Sequence, residues 1–384
     1  MNVSNRLSGE QKPRIVPGPG IGRICVLLHD LRGGGAERIM LRLVTEFIAA
    51  GRAVDLVLVK RRGEYLNLIP AEARVVDLGK DHVLNAVPAI ARYLRRERPA
   101  VVLTALTHMN IAAVIARALS RTRVRLVLSE RNQISMKANR ALGLRSRLTY
   151  MLVRLLYPMA DAVTAVSTGV SEDLERFAGL KKGSVRTIFN PVTNEEMLRR
   201  AAEPVTDPWF QPGQPPVVLG VGRLTHQKGF DVLLRAFKRV RAELPARLVI
   251  AGEGAERGKL EALCRELGLE EDARLIGFVP NPYSLMSRSG VFVLSSRFEG
   301  LPGVLLEAMY CGAPVVSADC PSGAGEILDG GRYGKLVPVE DAEAMAKAIL
   351  EVLREKPPAE VERARQYNVD DAVAAYLELL ECPR

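Results

Sequence analysis

The feature that most constrains the fold is a regular alternation of short, continuously apolar runs with amphipathic helical segments. The first half of the chain contains five such runs, at 23–31, 53–59, 100–106, 124–130 and 162–167. The second half contains six, at 217–223, 246–254, 273–279, 290–296, 314–319 and 334–338. Strands that are apolar on both faces and separated by helices are typical of parallel sheets covered on both sides. The pattern therefore predicts an α/β protein with two doubly wound parallel sheets.

Chain length and one proline-rich stretch predict where these units begin and end. A chain of 384 residues exceeds what a single hydrophobic core usually serves. The stretch PVTDPWFQPGQPP at 204–216 is the best linker candidate, and an amphipathic helix at 369–381 is expected to pack back on the first unit. We therefore predict a flexible tail, a first domain, a linker, a second domain and a returning helix at 1–20, 21–200, 201–216, 217–366 and 367–384.

Charge is divided unequally between the two halves. The net charge is +10, and residues 1–205 carry 33 Lys and Arg against 18 Asp and Glu. A basic half indicates an anionic partner, such as a membrane surface or a phosphorylated ligand. Nucleic acid is disfavoured as the partner, because aromatic residues make up only 5% of the chain and no DNA- or RNA-binding motif stands out.

A basic helix predicted at 138–157 is the candidate for a membrane contact. It combines apolar and basic side chains, as helices on a bilayer surface do, although the solvated face of a packed helix explains the pattern equally well. The basic residues are Lys137, Arg140, Arg145, Arg147 and Arg154. No apolar run reaches the roughly 18 residues of a membrane span, and five scattered cysteines are typical of reduced thiols. We expect a cytoplasmic protein, peripheral on the inner face of the membrane.

Two strand-to-helix loops carry groups suited to an anionic ligand, which doubly wound sheets bind at the carboxyl ends of their strands. Gly33, Gly34 and Gly35 enter the first helix, where backbone N–H groups can approach an anion, unless the loop is merely a tight connection. Arg223 and Lys228 in RLTHQKG suit a diphosphate, unless they are solvated surface residues. The sequence contains no DxD motif and no metal-ligand spacing of His with Asp or Glu, so we expect no metal.

Two carboxylates, Glu299 and Glu307, interrupt the apolar stretch RFEGLPGVLLEAMYCGAPVV at 297–316. Burying an acid among apolar residues is costly unless another group pairs with it. Gly300 and Pro302 place a helix start between the two acids, so Glu299 is predicted in a loop and Glu307 in the second turn of the helix. The alternative is that Glu307 is an ordinary polar-face residue.

Six motifs together resemble family 4 of the retaining, nucleotide-sugar-dependent glycosyltransferases, whose GT-B fold has two Rossmann-like domains facing a central cleft. In chain order the motifs are GGGAER, SERN, FNPV, VGRLTHQKGFD, AGEGAER and EGLPGVLLE, and the resemblance covers 22–381. Within the family the chain looks most like bacterial enzymes that build lipopolysaccharide and other surface glycans. The resemblance implies sugar transfer from a nucleotide sugar, preferably UDP-hexose or UDP-N-acetylhexosamine, to a glycan or lipid-linked acceptor. It implies no cofactor beyond this co-substrate.

The resemblance also implies roles for individual residues. Arg223 and Lys228 would hold the donor diphosphate and stabilise its departure. Glu299 would contact hydroxyl groups of the donor sugar and complete the catalytic set, and Glu307 would bind the ribose. The remaining residues implied at the donor site are Gly33, Gly34, Gly35, Gly222, Gly277, Phe278, Gly300, Leu301 and Pro302.

The acceptor side of the cleft is predicted at His108, Glu130, Arg131 and Asn132. Many relatives carry a His where this chain has Arg131, so we do not assign Arg131 as a base. Three alternative functions remain open at this point. A nucleotide-sugar epimerase or a phosphorylase could share the fold, although the spacing of the two acids argues against both. A non-catalytic sugar-nucleotide-binding subunit would be expected to have lost one of the four charged donor-site residues.

Overall fold

The computed structural model describes residues 22–32, 34–139 and 144–382. The tail predicted at 1–20, Gly33 and Arg140 lie outside the described residues, as do the side chains of Lys137 and Arg145.

The first unit is built on a parallel sheet. Its strands are β1 (Ile24–Leu28), β2 (Val54–Leu58), β3 (Arg74–Asp77), β4 (Val101–Ala105), β5 (Arg125–Glu130), β6 (Ala162–Ala165) and β7 (Val185–Thr187). They lie side by side in the order β3-β2-β1-β4-β5-β6-β7. The central strands β1, β2 and β4 are buried along their whole length, which explains their continuously apolar sequence. The sequence did not predict β3 and β7, which are short and partly exposed strands at the two edges.

The second unit is built on a smaller parallel sheet, and all of its strands were predicted. They are β8 (Val217–Val221), β9 (Arg247–Ala251), β10 (Ala273–Gly277), β11 (Val291–Leu294), β12 (Val315–Ala318) and β13 (Lys335–Val337). The order β10-β9-β8-β11-β12-β13 makes β8 and β11 direct neighbours. The loops that follow these two strands therefore open at the same edge of the sheet.

Helices cover both faces of the sheets. They are α1 (Gly35–Ala49), α2 (Val83–Glu97), α3 (Thr107–Ser120), α4 (Ile134–Asn139), α5 (Leu144–Leu156), α6 (Thr168–Ala178), α7 (Glu195–Ala201), α8 (Phe230–Glu243), α9 (Arg257–Glu266), α10 (Tyr283–Met286), α11 (Gly303–Tyr310), α12 (Ala324–Ile327), α13 (Ala342–Glu355), α14 (Val361–Arg365) and α15 (Val369–Glu381). Side chains alternating along β1 pack into two different cores, one containing α2 and α3, the other α1 and α15. The predicted fold class, two doubly wound parallel sheets, is confirmed. Within the described ranges, no helix has the length and apolar character needed to cross a bilayer.

The chain passes between the two units at two places that lie side by side. After β7 it leaves the first unit, and the backbone N–H groups of Val192 and Thr193 donate to the Tyr367 carbonyl at 3.1 and 3.2 Å. The returning segment pairs with it, since the Val369 N–H donates to the Thr193 carbonyl at 3.2 Å. Helix α15 then packs in the core of the first unit, with Tyr376 fully buried. The exact domain boundaries stay a prediction.

Candidate active site

The basic loop after β8 is folded tightly against the loop after β11. It contains a 3-10 turn at His226–Lys228 and ends at Gly229, whose φ of 62° is left-handed. A Cβ on Gly229 would lie 2.1 Å from the Ser295 carbonyl oxygen, so only glycine fits there. The Ser295 hydroxyl also donates to the Lys228 carbonyl at 2.8 Å. These contacts fix where the Lys228 side chain begins.

Lys228 and Glu299, which the sequence analysis assigned to the same ligand, form an ion pair. Lys228 Nζ donates to Glu299 Oε1 at 2.6 Å, and the Ser296 hydroxyl donates to the same oxygen at 2.8 Å. The two side chains are only 17% and 11% exposed. Because the ammonium group is held by a carboxylate at a strand end, an incoming anion would find a cation already in position.

Arg223 lies on the side of the loop that faces the first unit. It is exposed, unlike Lys228. Burial raises the pKa of Glu37 on α1, while the positive charge of Arg223 is among the groups that oppose this rise. The Glu37 carboxylate lies over Gly34, in the glycine loop that enters α1. The predicted glycine loop and the predicted basic loop therefore approach each other across the two units.

Arg297 fixes the basic loop through hydrogen bonds to residues on both sides of Lys228. It is 8% exposed and donates through both Nη atoms to Asp231, at 2.9 and 2.7 Å, and through Nη1 to the His226 carbonyl at 2.7 Å. It also pairs with Glu340. This residue was not predicted as a site residue, although it stands two positions before Glu299. Its contacts join the two ends of the loop that carries Lys228.

Helix α11 starts between the two acids, as predicted. Pro302 is its N-cap residue, Gly303 its first residue, and Glu307 lies in its second turn. The Tyr283 hydroxyl donates to Glu307 Oε1 at 3.5 Å, and Arg38 Nη2 donates to that hydroxyl at 3.0 Å. Tyr283 was not predicted as a site residue, and no local sequence signal joins it to Arg38, which lies far away in the chain.

Gly300 brings the backbones of the two units into contact. Its carbonyl accepts hydrogen bonds from the Ser167 and Ser322 hydroxyls at 3.0 and 2.8 Å. A Cβ on Gly300 would lie 2.0 Å from the Arg131 carbonyl oxygen, and this close approach requires glycine. Beside it, Glu326 accepts hydrogen bonds from the N–H and hydroxyl of Thr168, at the first residue of α6.

The other donor-site candidates lie on the same edge of the second sheet or beside it. Leu301 and Pro302 are buried under the start of α11. Gly277 ends β10 with a φ of 80°. Phe278, which follows it, is 75% exposed, an unusual placement for a large apolar side chain.

The four acceptor-side candidates do not share one environment. Glu130 is fully buried and accepts from the Thr107 and Tyr157 hydroxyls at 3.1 and 2.8 Å. Arg131 is 6% exposed and donates to Asn190 Oδ1 at 2.6 Å.

Asn132 is half-buried, and His108 is exposed, with its ring edge-on to His29 at 5.9 Å between centroids. Direct acceptor contact by these four residues stays a prediction. In the parts of the chain that the structure describes, no group of three or more His, Cys, Asp and Glu could hold a metal ion.

Two family models match the chain, one on each unit. Residues 33–196 match the model described as Glycosyltransferase Family 4, and residues 206–369 match the model described as Glycosyl transferases group 1. The first match ends and the second begins between β7 and β8, where the chain passes from one sheet to the other.

Curated relatives and solved structures agree with these models. A Campylobacter jejuni protein named N-acetylgalactosamine-N,N'-diacetylbacillosaminyl-diphospho-undecaprenol 4-alpha-N-acetylgalactosaminyltransferase is 30% identical over 87% of this chain and 90% of its own length. The lipopolysaccharide core biosynthesis glycosyltransferase LpsE of Rhizobium meliloti is 26% identical over 92% and 97%. The structure of HepE from Anabaena in complex with UDP superposes with a TM-score of 0.77 at 19% identity, covering 94% of this chain and 99% of HepE.

Proposed function

The chain belongs to glycosyltransferase family 4, with the GT-B fold, and from this premise we propose that it transfers a sugar from a nucleotide sugar to a glycan or lipid-linked acceptor of a bacterial surface polysaccharide or lipopolysaccharide. The single observation that carries the proposal is the Lys228–Glu299 pair at 2.6 Å, whose lysine stands in the same loop as Arg223, after strand β8. A cation for a leaving diphosphate and a carboxylate for sugar hydroxyls are the two groups that such a transfer needs.

The donor we propose is UDP-hexose or UDP-N-acetylhexosamine. Two observations on similar proteins support this choice: the Campylobacter relative is named as an N-acetylgalactosaminyltransferase, and HepE has been solved with UDP-glucose. The name of that relative also includes a diphospho-undecaprenol acceptor, which supports a lipid-linked acceptor here.

We propose that the reaction retains the anomeric configuration and proceeds without a metal ion. In this mechanism the bond between the anomeric carbon and the diphosphate oxygen breaks as the acceptor oxygen bonds to the same carbon, and the acceptor proton leaves with the diphosphate. Arg223 and Lys228 would meet the charge that develops on the diphosphate, and Glu299 would orient the sugar. Glu307 would accept hydrogen bonds from the ribose.

A nucleotide-sugar panel followed by product analysis tests the proposal. We expect UDP-hexose or UDP-N-acetylhexosamine to raise the melting temperature by an amount that increases with its affinity, and a surface-glycan or lipid-linked acceptor to be glycosylated with retention when EDTA is present. Binding without transfer to any acceptor would instead favour the non-catalytic subunit. Sugar conversion without an acceptor would favour the epimerase, and phosphate-dependent release of a sugar phosphate the phosphorylase.

We also propose that α5 contacts an anionic membrane surface on the cytoplasmic side. Four apolar side chains along it and the turn after it are about half exposed or more: Leu148, Met151, Leu155 and Met159, at 50, 62, 68 and 47%. Exposed Arg147 lies beside this stripe, and such a combination suits the interface of an anionic bilayer.

Vesicle co-sedimentation at low salt tests this contact. We expect binding to vesicles containing anionic lipid, and loss of binding in Met151→Glu. Leu84→Glu is the matched control, since Leu84 is 78% exposed on α2 and is not part of the stripe. Equal sedimentation of all three proteins, or none for the wild type, would contradict the proposal.

A further inference from the structure

Glu307 is joined to the first unit by a chain of two hydrogen bonds. Arg38, in the first turns of α1, donates from Nη2 to the Tyr283 hydroxyl at 3.0 Å. That hydroxyl, on the short helix α10 of the second unit, donates to Glu307 Oε1 at 3.5 Å. A phenol that accepts from a guanidinium group is a better donor to a carboxylate, because hydrogen bonds in a chain polarise one another.

The Tyr283 hydroxyl is surrounded by neighbouring side chains and not by bulk water. Its side chain is buried, with 4% of the residue exposed, so the hydroxyl is shielded from bulk water. Burial and the charge of Glu307 raise the pKa of Tyr283, which keeps its proton on the phenol oxygen. Arg200, on α7, lies over the ring with its guanidinium carbon 5.2 Å from the centroid.

Arg38 is itself fixed by the way α1 meets the crossing segment. One turn further along α1, Arg42 donates from Nη1 to the Val192 carbonyl at 2.9 Å and to the Pro191 carbonyl at 3.3 Å. These carbonyls belong to the segment that leads from the first unit into the second. The position of Arg38 relative to Tyr283 therefore depends on how the two units meet, and not only on α1.

Glu307 retains an acceptor for a ligand in this arrangement. Tyr283 contacts Oε1, while Oε2 has no hydrogen-bond partner among the residues that the structure describes. A carboxylate that is held through one oxygen can offer the other to a pair of vicinal hydroxyls. Without the contact to Tyr283, the Glu307 side chain would be free to rotate away from a bound ligand.

We propose that Tyr283 and Arg38 are positioning residues that orient the Glu307 carboxylate toward the ribose hydroxyls of the donor, so that the first unit contributes to nucleotide recognition by the second. This inference rests on the ribose role given to Glu307 under the proposed function. It makes a specific claim beyond that role: removal of either residue weakens binding through the ribose hydroxyls and through no other part of the nucleotide.

Isothermal titration with UDP and with 2′,3′-dideoxy-UDP isolates the ribose hydroxyls and needs no knowledge of the sugar or the acceptor. For the wild type we expect the dideoxy nucleotide to bind about 10- to 100-fold more weakly, the range for hydrogen bonds to a charged group. In Tyr283→Phe, Arg38→Met and Glu307→Gln we expect this penalty to fall below about 3-fold. Arg200→Lys, which keeps a cation over the same ring, is the matched control and should keep the full penalty.

The outcomes separate the inference from its premise. If the wild type shows a penalty that Glu307→Gln abolishes but Tyr283→Phe and Arg38→Met retain, the inference fails and the ribose role of Glu307 stands. If Tyr283→Phe and Arg38→Met weaken both nucleotides equally, the bridge only fastens the two units together and the inference fails. If the wild type does not distinguish the two nucleotides, or does not bind UDP, the assignment of Glu307 is itself wrong and the inference falls with it.

Discussion

Replacing Gly300 by alanine should separate the two units by a distance that the structure specifies. The added Cβ would lie 2.0 Å from the Arg131 carbonyl oxygen, whereas real Cβ atoms essentially never come closer than 3.0 Å to another heavy atom. At least one backbone must therefore move by about 1 Å, because neither contacting group is the flexible end of a side chain. The hydrogen bond from Ser167 to the Gly300 carbonyl, at 3.0 Å, would be disturbed by the same movement.

This movement would displace catalytic groups rather than disturb the hydrophobic core of either unit. Glu299 directly precedes Gly300, so a shift of the loop displaces the carboxylate that pairs with Lys228. If the loop holds its place, the first unit and its acceptor move away instead. A misplacement of about 1 Å in reacting groups can cost about 100-fold in rate, and we expect a loss of that size in Gly300→Ala at saturating donor.

Initial transfer rates, measured beside thermal unfolding, check this expectation. The matched control is Gly303→Ala, three residues further on, where the added Cβ would lie 3.6 Å from Val192 Cγ2 in ordinary van der Waals contact. Gly303→Ala should transfer sugar within about 3-fold of the wild type, a difference below about 0.7 kcal/mol in the barrier. Near-normal turnover by Gly300→Ala would refute the argument that the two units must meet this closely for catalysis.

Three further predictions concern the basic loop and the thiols. Lys228→Met should lower turnover by about 100-fold or more, the usual loss for one group that stabilises a leaving charge, while circular dichroism shows the fold intact. Arg297→Met should lower the free energy of unfolding by about 1–3 kcal/mol in urea titrations, less than for a fully buried ion pair because the Asp231 side chain is 43% exposed. Ellman's reagent should label Cys382 alone in the native protein, since the other four cysteines are buried. Burial raises the pKa of three of these to about 12, namely Cys25, Cys311 and Cys320.

The sequence predicted those parts of the fold whose signal is local. Strands such as β1 and β8 are buried on both faces, so each appears as a continuous apolar run that can be read without knowledge of its partners. The edge strand β3 has no buried residue and so lacks that run. The helices α6 and α13 were likewise overlooked, although Ser167 and Asp341 cap their first turns as N-cap residues commonly do.

In the site, too, the residues that could be predicted are those whose signal is local in the sequence. Lys228 and Glu299 were assigned to one ligand because their motifs resemble those of the family, and the structure shows that their loops follow strands that pair directly in the sheet. The bridge from Arg38 to Tyr283 spans 245 residues of sequence and depends on the angle at which the two units meet. Burial of Glu130 under Tyr157 was also beyond the sequence analysis, because a carboxylate at a strand end has the same sequence pattern whether it faces a cleft or the core.

A crystal structure of the protein with UDP would test the central claim most directly. We expect the diphosphate oxygens to lie within hydrogen-bond distance of both Arg223 and Lys228, with the ribose hydroxyls on Glu307. Lys228 Nζ, which lies 2.6 Å from Glu299 Oε1, would then turn toward the diphosphate or share its protons between the two. UDP bound elsewhere, or bound in the cleft with its diphosphate in contact with neither basic residue, would contradict the account.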